Sequence, residues 1–156
     1  MFQKETVTKD FLGTIHSKLN FSMEKDRIEV WIPFEEEGEY TVYYDGMPKP
    51  HHSLYEQKNL TGRDKYTVFL DGNHALTEIV NEKAENRKRL LLVKDSYAHC
   101  FVPFAAPYFE RIYMVDLRYL NQKLSDLMEK EAITDVLVLY QIPGFARDEN
   151  VVKMSR

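Results

Sequence analysis

The chain has 156 residues, 44% of them apolar and 13% aromatic, which is enough to bury one ordinary core without disulfides or metals as staples. A formal charge of −4 with no dense Lys/Arg stripe excludes a general attraction to phosphate backbones, so no nucleic acid partner is expected. Cys100 is the only cysteine, which excludes an intrachain disulfide and a multi-cysteine metal site.

In chain order, Met1 to Thr6 has neither the basic start nor the apolar run of a signal peptide. Residues 27–34 and 39–44 are β-rich, and Glu35-Glu36-Glu37-Gly38 between them supplies the polar, glycine-containing turn of a hairpin. The prolines of Asp45-Gly46-Met47-Pro48-Lys49-Pro50 forbid continued pairing, so irregular structure is expected there. Residues 66–70 read as a short strand. Residues 76–81 fit strand or helix by period, and the strand is the reading adopted. The charged run 82–89 reads as an exposed turn. No apolar stretch, Leu90-Leu91-Leu92-Val93 included, is long enough to cross a bilayer.

From Arg89 onward, buried strands alternate with helix-length segments, the pattern of βαβ units with a parallel sheet. The predicted strands are 90–94, 111–116 and 135–140. The predicted helices are 98–108 and 121–131, the second with Leu124, Leu127 and Met128 at helical spacing. Right-handed crossovers would bring these strand ends to one edge, where ligands bind in open α/β sheets. The residues just past each strand are Asp95, Ser96 and Tyr97; Leu117, Arg118 and Tyr119; Gln141, Ile142 and Pro143.

Ser96 follows a buried strand and opens a helix, whose N-terminal amides can stabilise an oxyanion formed beside it. A serine hydroxyl also needs a base, usually a histidine held by a carboxylate. The other local reading is that Asp95 or Ser96 caps the helix. His74 and His99 are the nearest histidines in sequence, and either could serve as base. The three-residue offset of His99 puts it on a neighbouring helical face, outside triad geometry, and both histidines also fit structural or exposed roles. Arg118 can hold an anionic substrate group, or pair with Asp116 or Asp95. Tyr140 can line a pocket or fill the core. His51-His52 completes no metal site.

Taken in order and spacing, Asp71-Gly72-Asn73-His74, Leu91-Leu92-Val93-Lys94-Asp95-Ser96-Tyr97-Ala98, Phe101-Val102-Pro103-Phe104 and Asp116-Leu117-Arg118-Tyr119 resemble the DHHW proteins. Phe11-Leu12-Gly13-Thr14, Asp64-Lys65-Tyr66 and Asp135-Val136-Leu137 extend the resemblance, which runs from about Phe11 to Phe145. It implies kinship with SGNH hydrolases and, more closely, with the alginate-type polysaccharide O-acetyltransferases of bacterial envelopes. The implied fold is α/β: a parallel-sheet, SGNH- or flavodoxin-like portion over 71–156 behind a β-hairpin-rich extension over 1–70, together one partial domain.

The resemblance also implies Ser96 as nucleophile and Asn73 as side-chain oxyanion donor, although Asp-Gly-Asn is equally ordinary turn chemistry. Asp95, Arg118, His74 and Tyr140 are the candidate substrate contacts. The Asp-His-His-Trp motif that names the family occurs nowhere in the chain, and Asp148-Glu149-Asn150-Val151 lacks the histidine that ordinary SGNH esterases carry in Asp-x-x-His. Activity is therefore expected to require an upstream Asp-His module, with a carbohydrate or small acyl ester as substrate and no cofactor or metal. The parent protein is expected in the envelope or outside the cell. Ser96 and Asn73 should share a cleft whose uncovered surface could drive a homodimer. The alternative is a non-catalytic carbohydrate- or envelope-binding domain.

Overall fold

In the computed structural model of the chain, residues 2–13, 16, 19, 21–33 and 40–155 are described. Strands β1 (Phe2–Phe11) and β2 (Asp26–Pro33) form a two-stranded antiparallel ribbon, with Phe2 opposite Pro33 and Phe11 opposite Asp26. Ile28 and Val30 are the buried residues of β2, and Ile28 packs with Val68 and Phe69. Phe2 and Trp31 of the ribbon both meet the ring of Phe104, with centroids 5.2 and 5.7 Å apart.

A five-stranded mixed sheet holds the rest of the fold. Its strands are β3 (Tyr40–Tyr44), β4 (Leu76–Asn81), β5 (Arg89–Lys94), β6 (Arg111–Val115) and β7 (Asp135–Leu139), in spatial order β3-β4-β6-β5-β7. The β3/β4 and β4/β6 pairs are antiparallel, while β5 lies parallel to both β6 and β7. The unbroken run Leu90 to Val93 dictates this centre: a strand apolar on both sides is stable only when both sheet faces are covered.

On one face, Leu90, Leu92, Ile112 and Met114 pack with Val42, Tyr44, Ala98 and Val102. On the other, Leu91, Val93, Tyr113 and Val115 pack with Leu124 and Leu127 of helix α2 (Leu124–Lys130) and with Leu117 and Leu120 before it. Two short helices complete the set to which the strands connect, α1 (Val102–Ala105) and α3 (Ile142–Phe145).

Four expectations from the sequence need correction. Residues 27–34 and 39–44 do not form a hairpin: β2 pairs with β1 and β3 with β4, in different sheets, and the turn residues 35–38 lie outside the described residues. Residues 66–70 are not a strand. Asp64 accepts the Tyr66 N–H (3.2 Å) and starts a 3-10 helix, Lys65–Val68, after which positive φ at Leu70 and Asp71 prevents extension.

The helix expected over 98–108 is instead a 3-10 segment (Ser96–Phe101), then α1, then a 3-10 turn (Ala106–Tyr108). Pro103 and Pro107 sit in the first turns of the last two, where a ring without an N–H fits but cannot continue a preceding helix. The sheet, finally, is not purely parallel, because β3 and β4 add two antiparallel pairings to the parallel part. The strand reading of 76–81 and the parallel pairing of 90–94 with its neighbours agree with the structure.

Candidate functional site at the carboxyl edge of the sheet

The register aligns strand ends along one edge. Val93 of β5 faces Val115 of β6, Lys94 faces Leu139 of β7, Leu76 at the start of β4 faces Val115, and Tyr44 at the end of β3 faces Thr77. The residues just beyond these positions, Asp45, His74, Asp116, Asp95 with Ser96, and Tyr140, therefore follow one another across that edge. Neighbouring strands lie about 4.8 Å apart, so β4 and β5, separated by β6, put His74 and Ser96 two spacings apart.

Ser96 is half-buried at the first position of the 3-10 segment. Asp95 is the cap: its Oδ1 accepts the Tyr97 N–H (3.0 Å) and its Oδ2 accepts the Gln141 N–H (3.0 Å), joining the ends of β5 and β7. Gly144 lies against the same carboxylate, where an added Cβ would come within 3.1 Å of Oδ2. With both oxygens of Asp95 committed to backbone, the Ser96 hydroxyl and its own N–H make no hydrogen bond among the described residues. The amide available to an anion at this helix start is thus that of Ser96, since Tyr97 has given its N–H to the cap. Asp95→Ala removes both clamping acceptors. It is expected to lower stability by about 1–2 kcal/mol in urea denaturation while leaving the circular dichroism spectrum unchanged.

Beneath this serine lies a buried polar cluster. Lys94 Nζ donates to His99 Nε2 (2.9 Å) and stands 3.6 Å from Asp116 Oδ2, and all three side chains are buried. Arg118 grips the same carboxylate in a fork, Nε to Oδ1 at 2.8 Å and an Nη to Oδ2 at 2.6 Å, while its guanidinium lies 5.3 Å from the Tyr119 ring centre. Burial lowers the Lys94 pKa to about 8 against the opposing pull of Asp116. Burial, reinforced by the Lys94 ammonium, takes His99 down to about 3. Burial alone would raise Asp116, but Arg118 and Lys94 outweigh it and hold the carboxyl below its usual value.

The remaining candidates have definite places. His74 Nδ1 donates to Asp45 Oδ2 (2.9 Å), its ring stacks on Tyr44 at 4.2 Å, and its Nε2 is buried without a partner. Asn73 is exposed and hydrogen-bonded to nothing among the described residues, following the positive-φ pair Asp71 and Gly72. Tyr140 meets Phe145 edge-on at 5.6 Å, its hydroxyl buried without a partner and its pKa pushed up by burial. None of the five histidines is hydrogen-bonded to Ser96: His51 pairs with Glu56 (2.7 Å), and His16 and His52 make no such bond.

Three open clefts of about 840, 420 and 410 Å³ lie beside the β1–β2 ribbon, around Trp31 and Phe104, and at the 82–87 turn. Neither Ser96 nor Asn73 lines any of them, so the expected shared cleft is not among these three. The sequence reading passed over Lys94 and Asp116 as a buried pair. The available signal was a lysine closing an otherwise apolar parallel strand, beside an aspartate that ends the next.

Among solved structures, a DHHW family protein from Eubacterium siraeum DSM 15702 superposes on 99% of this chain with a TM-score of 0.79 at 24% identity. The chain shares its fold with a DHHW family protein. PatB1 of Bacillus cereus, in a structure with a sulfonyl adduct, matches 96% of the chain with a TM-score of 0.74 at 19% identity. A second PatB1 structure gives 0.72 at the same identity and coverage. The chain covers 52% of the Eubacterium protein and 50–52% of PatB1, about half the length of each. No protein-family model and no curated protein sequence matches the chain. Among the described residues, no helix is long and apolar enough to cross a membrane.

Proposed function

We propose that the chain carries the nucleophile half of a serine acyl-transfer site of the DHHW kind, acting on an ester or an O-acetylated envelope carbohydrate. The observation that carries this reading is the uncommitted Ser96 hydroxyl at the carboxyl end of the central parallel strand, with Asp95 doing the capping that would otherwise explain a serine there. In the reaction, Ser96 Oγ attacks the acyl carbonyl carbon and its proton passes to a base. The tetrahedral oxyanion is stabilised by the Ser96 N–H and by Asn73, and collapse expels the alcohol, which takes the proton back. Water or a carbohydrate hydroxyl then accepts the acyl group from the serine ester.

The base comes from outside the described residues, because every histidine here is tied elsewhere or makes no bond to Ser96. The fold match to PatB1 supports the reading, since a sulfonyl adduct is what a sulfonylating reagent leaves on an activated nucleophile.

The test has two parts. The chain alone is expected to hydrolyse p-nitrophenyl acetate no faster than its Ser96→Ala variant, because a triad serine without its base loses roughly 10⁴–10⁶-fold in rate. Phenylmethylsulfonyl fluoride should label Ser96, by peptide mass, once an Asp-His module is supplied. Absence of that label in the assembled protein would leave a carbohydrate-binding domain as the better account. Hydrolysis by the chain alone that vanishes in Ser96→Ala would show that the base lies within it.

A further inference from the structure

A cleft of about 420 Å³ lies where the β1–β2 ribbon meets the segment that starts at Ser96, and four of its lining side chains are aromatic: Trp31, Tyr55, Phe69 and Phe104. They hold one another in place. The Tyr55 hydroxyl donates to the Trp31 carbonyl (2.8 Å) and accepts the Trp31 backbone N–H (3.2 Å), while its ring meets Phe69 edge-on at 5.8 Å. The Trp31 indole lies tilted against Phe104 at 5.7 Å, and the Lys4 ammonium stands 5.7 Å from its ring centre. The indole stays partly exposed, and its ring N–H makes no hydrogen bond among the described residues.

The rim of the cleft is polar. Asp26, Arg27 and Glu29 of β2 line it, with Glu29 paired to Arg27 (2.8 Å) and to Lys4 (3.3 Å). Asp26 accepts only the Arg27 N–H (2.7 Å) among the described residues, which leaves its second oxygen open. Aromatic walls with a few polar groups at the mouth are the make-up of a small-ligand site, and the volume is within the usual range. A pyranose ring suits this arrangement: its C–H groups lie on an aromatic face, whose negative quadrupole attracts them, and its hydroxyls reach the rim. An apolar peptide side chain would instead leave the Asp26 and Arg27 heads without partners. The two carboxylates are balanced by Arg27 and Lys4, so no surplus positive charge favours a polyanionic chain.

We infer that this cleft binds an uncharged, gluco-configured glycan chain, stacked on Trp31 and Phe104 with its hydroxyls at Asp26, Arg27 and the indole N–H. The path out of the cleft agrees. Tyr97, Cys100 and Phe104 form one row, because residues three apart eclipse in a 3-10 helix and residues four apart share a face of an α-helix. Within that row Cys100 Sγ donates to the Tyr97 carbonyl (3.4 Å), and Cys100, Tyr97 (56%) and Phe104 (37%) are all exposed. The row leads from the cleft to the neighbour of Ser96, with Cys100 about 8 Å from Ser96 at about 2 Å per residue. Presentation of an acyl group to Ser96 by a chain held here rests on the proposed function, but the binding does not.

Trp31 is the single tryptophan and Cys100 the single cysteine, so the full chain carries two reporters in this one cleft. Chitohexaose and cellohexaose are titrated into the chain, with Ser96→Ala in every sample. At least one is expected to change Trp31 emission saturably and, at about ten times its Kd, to slow alkylation of Cys100 by iodoacetamide about tenfold. Oligomannuronate, the charged comparison, should do neither. Phe104→Ala should weaken binding about tenfold, and Arg27→Ala, at an exposed position that leaves the thermal transition in place, about threefold. The inference is overturned if neither uncharged hexamer moves either reporter, if oligomannuronate binds more tightly, or if binding is indifferent to Arg27→Ala and Phe104→Ala. Self-association that protects Cys100 without glycan also overturns it, since a second copy would then be the occupant. Because Ser96→Ala is present throughout, binding is read without catalysis. A chain that binds glycan while Ser96 takes no sulfonyl label in the assembled protein counts against the proposed function alone, and the reverse result counts against this inference alone.

Discussion

Asp116→Ala is expected to destabilise the fold by about 3–5 kcal/mol, measured as a fall in the urea midpoint at unchanged slope. The carboxylate is fully buried between the Arg118 fork and the Lys94 ammonium, and among the described residues it is the only anion within bonding distance of Lys94. Removing it leaves a buried ammonium with only a neutral imidazole as partner. Such an uncompensated charge costs far more than an exposed pair would, because water cannot reach it. Arg118 fares better, since its head is partly exposed and can turn to solvent.

The decisive comparison is the double variant Asp116→Leu with Lys94→Met. Removing both charges should restore most of the loss, since a well-packed apolar pair often replaces a buried ion pair at little cost. A single variant that loses less than about 1 kcal/mol would mean that Lys94 is neutral in the fold, or finds another partner, at the pH of the measurement.

The parallel centre of the fold was legible because its signal is local: the run Leu90 to Val93 marks a buried strand, Val136 to Leu139 marks a further apolar strand, and the helical spacing of Leu124 and Leu127 marks the helix that covers Leu91 and Val93. The ribbon was not, since β1 offers only Phe2, Val7 and Phe11 as apolar positions and is held by β2 rather than by a core of its own. The choice of β1 over β3 as partner for β2 is a long-range matter that the intervening Glu35-Glu36-Glu37-Gly38 does not reveal. At 66–70 the Asp64 cap outweighed the β propensity of Tyr66, Val68 and Phe69, and left-handed backbone at Leu70 carries no glycine to announce it.

At the site, strand ends predicted where Ser96, Asp95, Arg118 and Tyr140 would gather, and the register brings them to one edge. Of the alternatives left open for Arg118, the structure shows the pair with Asp116. Which groups meet beneath Ser96 could not be read in the same way. Lys94 and His99 are joined through the turn of a 3-10 segment, and whether that segment winds as 3-10 or α depends on Pro103 and on packing that only the folded chain supplies.

The pH dependence of stability should carry the signature of His99. Its ring is 2% exposed, stacks on Tyr66 at 6.3 Å and accepts from Lys94; Asp116, Arg118 and His74 are the other titratable groups that act on it. Burial and the Lys94 ammonium hold its pKa at about 3, whereas the unfolded chain titrates near the ordinary 6.5. Between those values the unfolded state binds a proton that the folded state refuses, so stability is complete above pH 6.5 and falls as pH falls towards 3. The full window corresponds to a loss on the order of 5 kcal/mol.

Asp116 is also held low and adds its own loss below the carboxylate range, so the informative interval is pH 6.5 to 4.5, where His99 alone should cost about 2–3 kcal/mol. His99→Gln keeps an oxygen acceptor for Lys94 without a titrating ring, and its stability curve should be flat across that interval while the wild type declines. Parallel curves would mean that His99 accepts a proton inside the fold. In that case the imidazole would be available to acid-base chemistry, and the argument that Ser96 draws its base from elsewhere would lose one of its supports. A flat variant curve would instead establish His99 as a neutral acceptor beneath Ser96, holding the Lys94 ammonium in place.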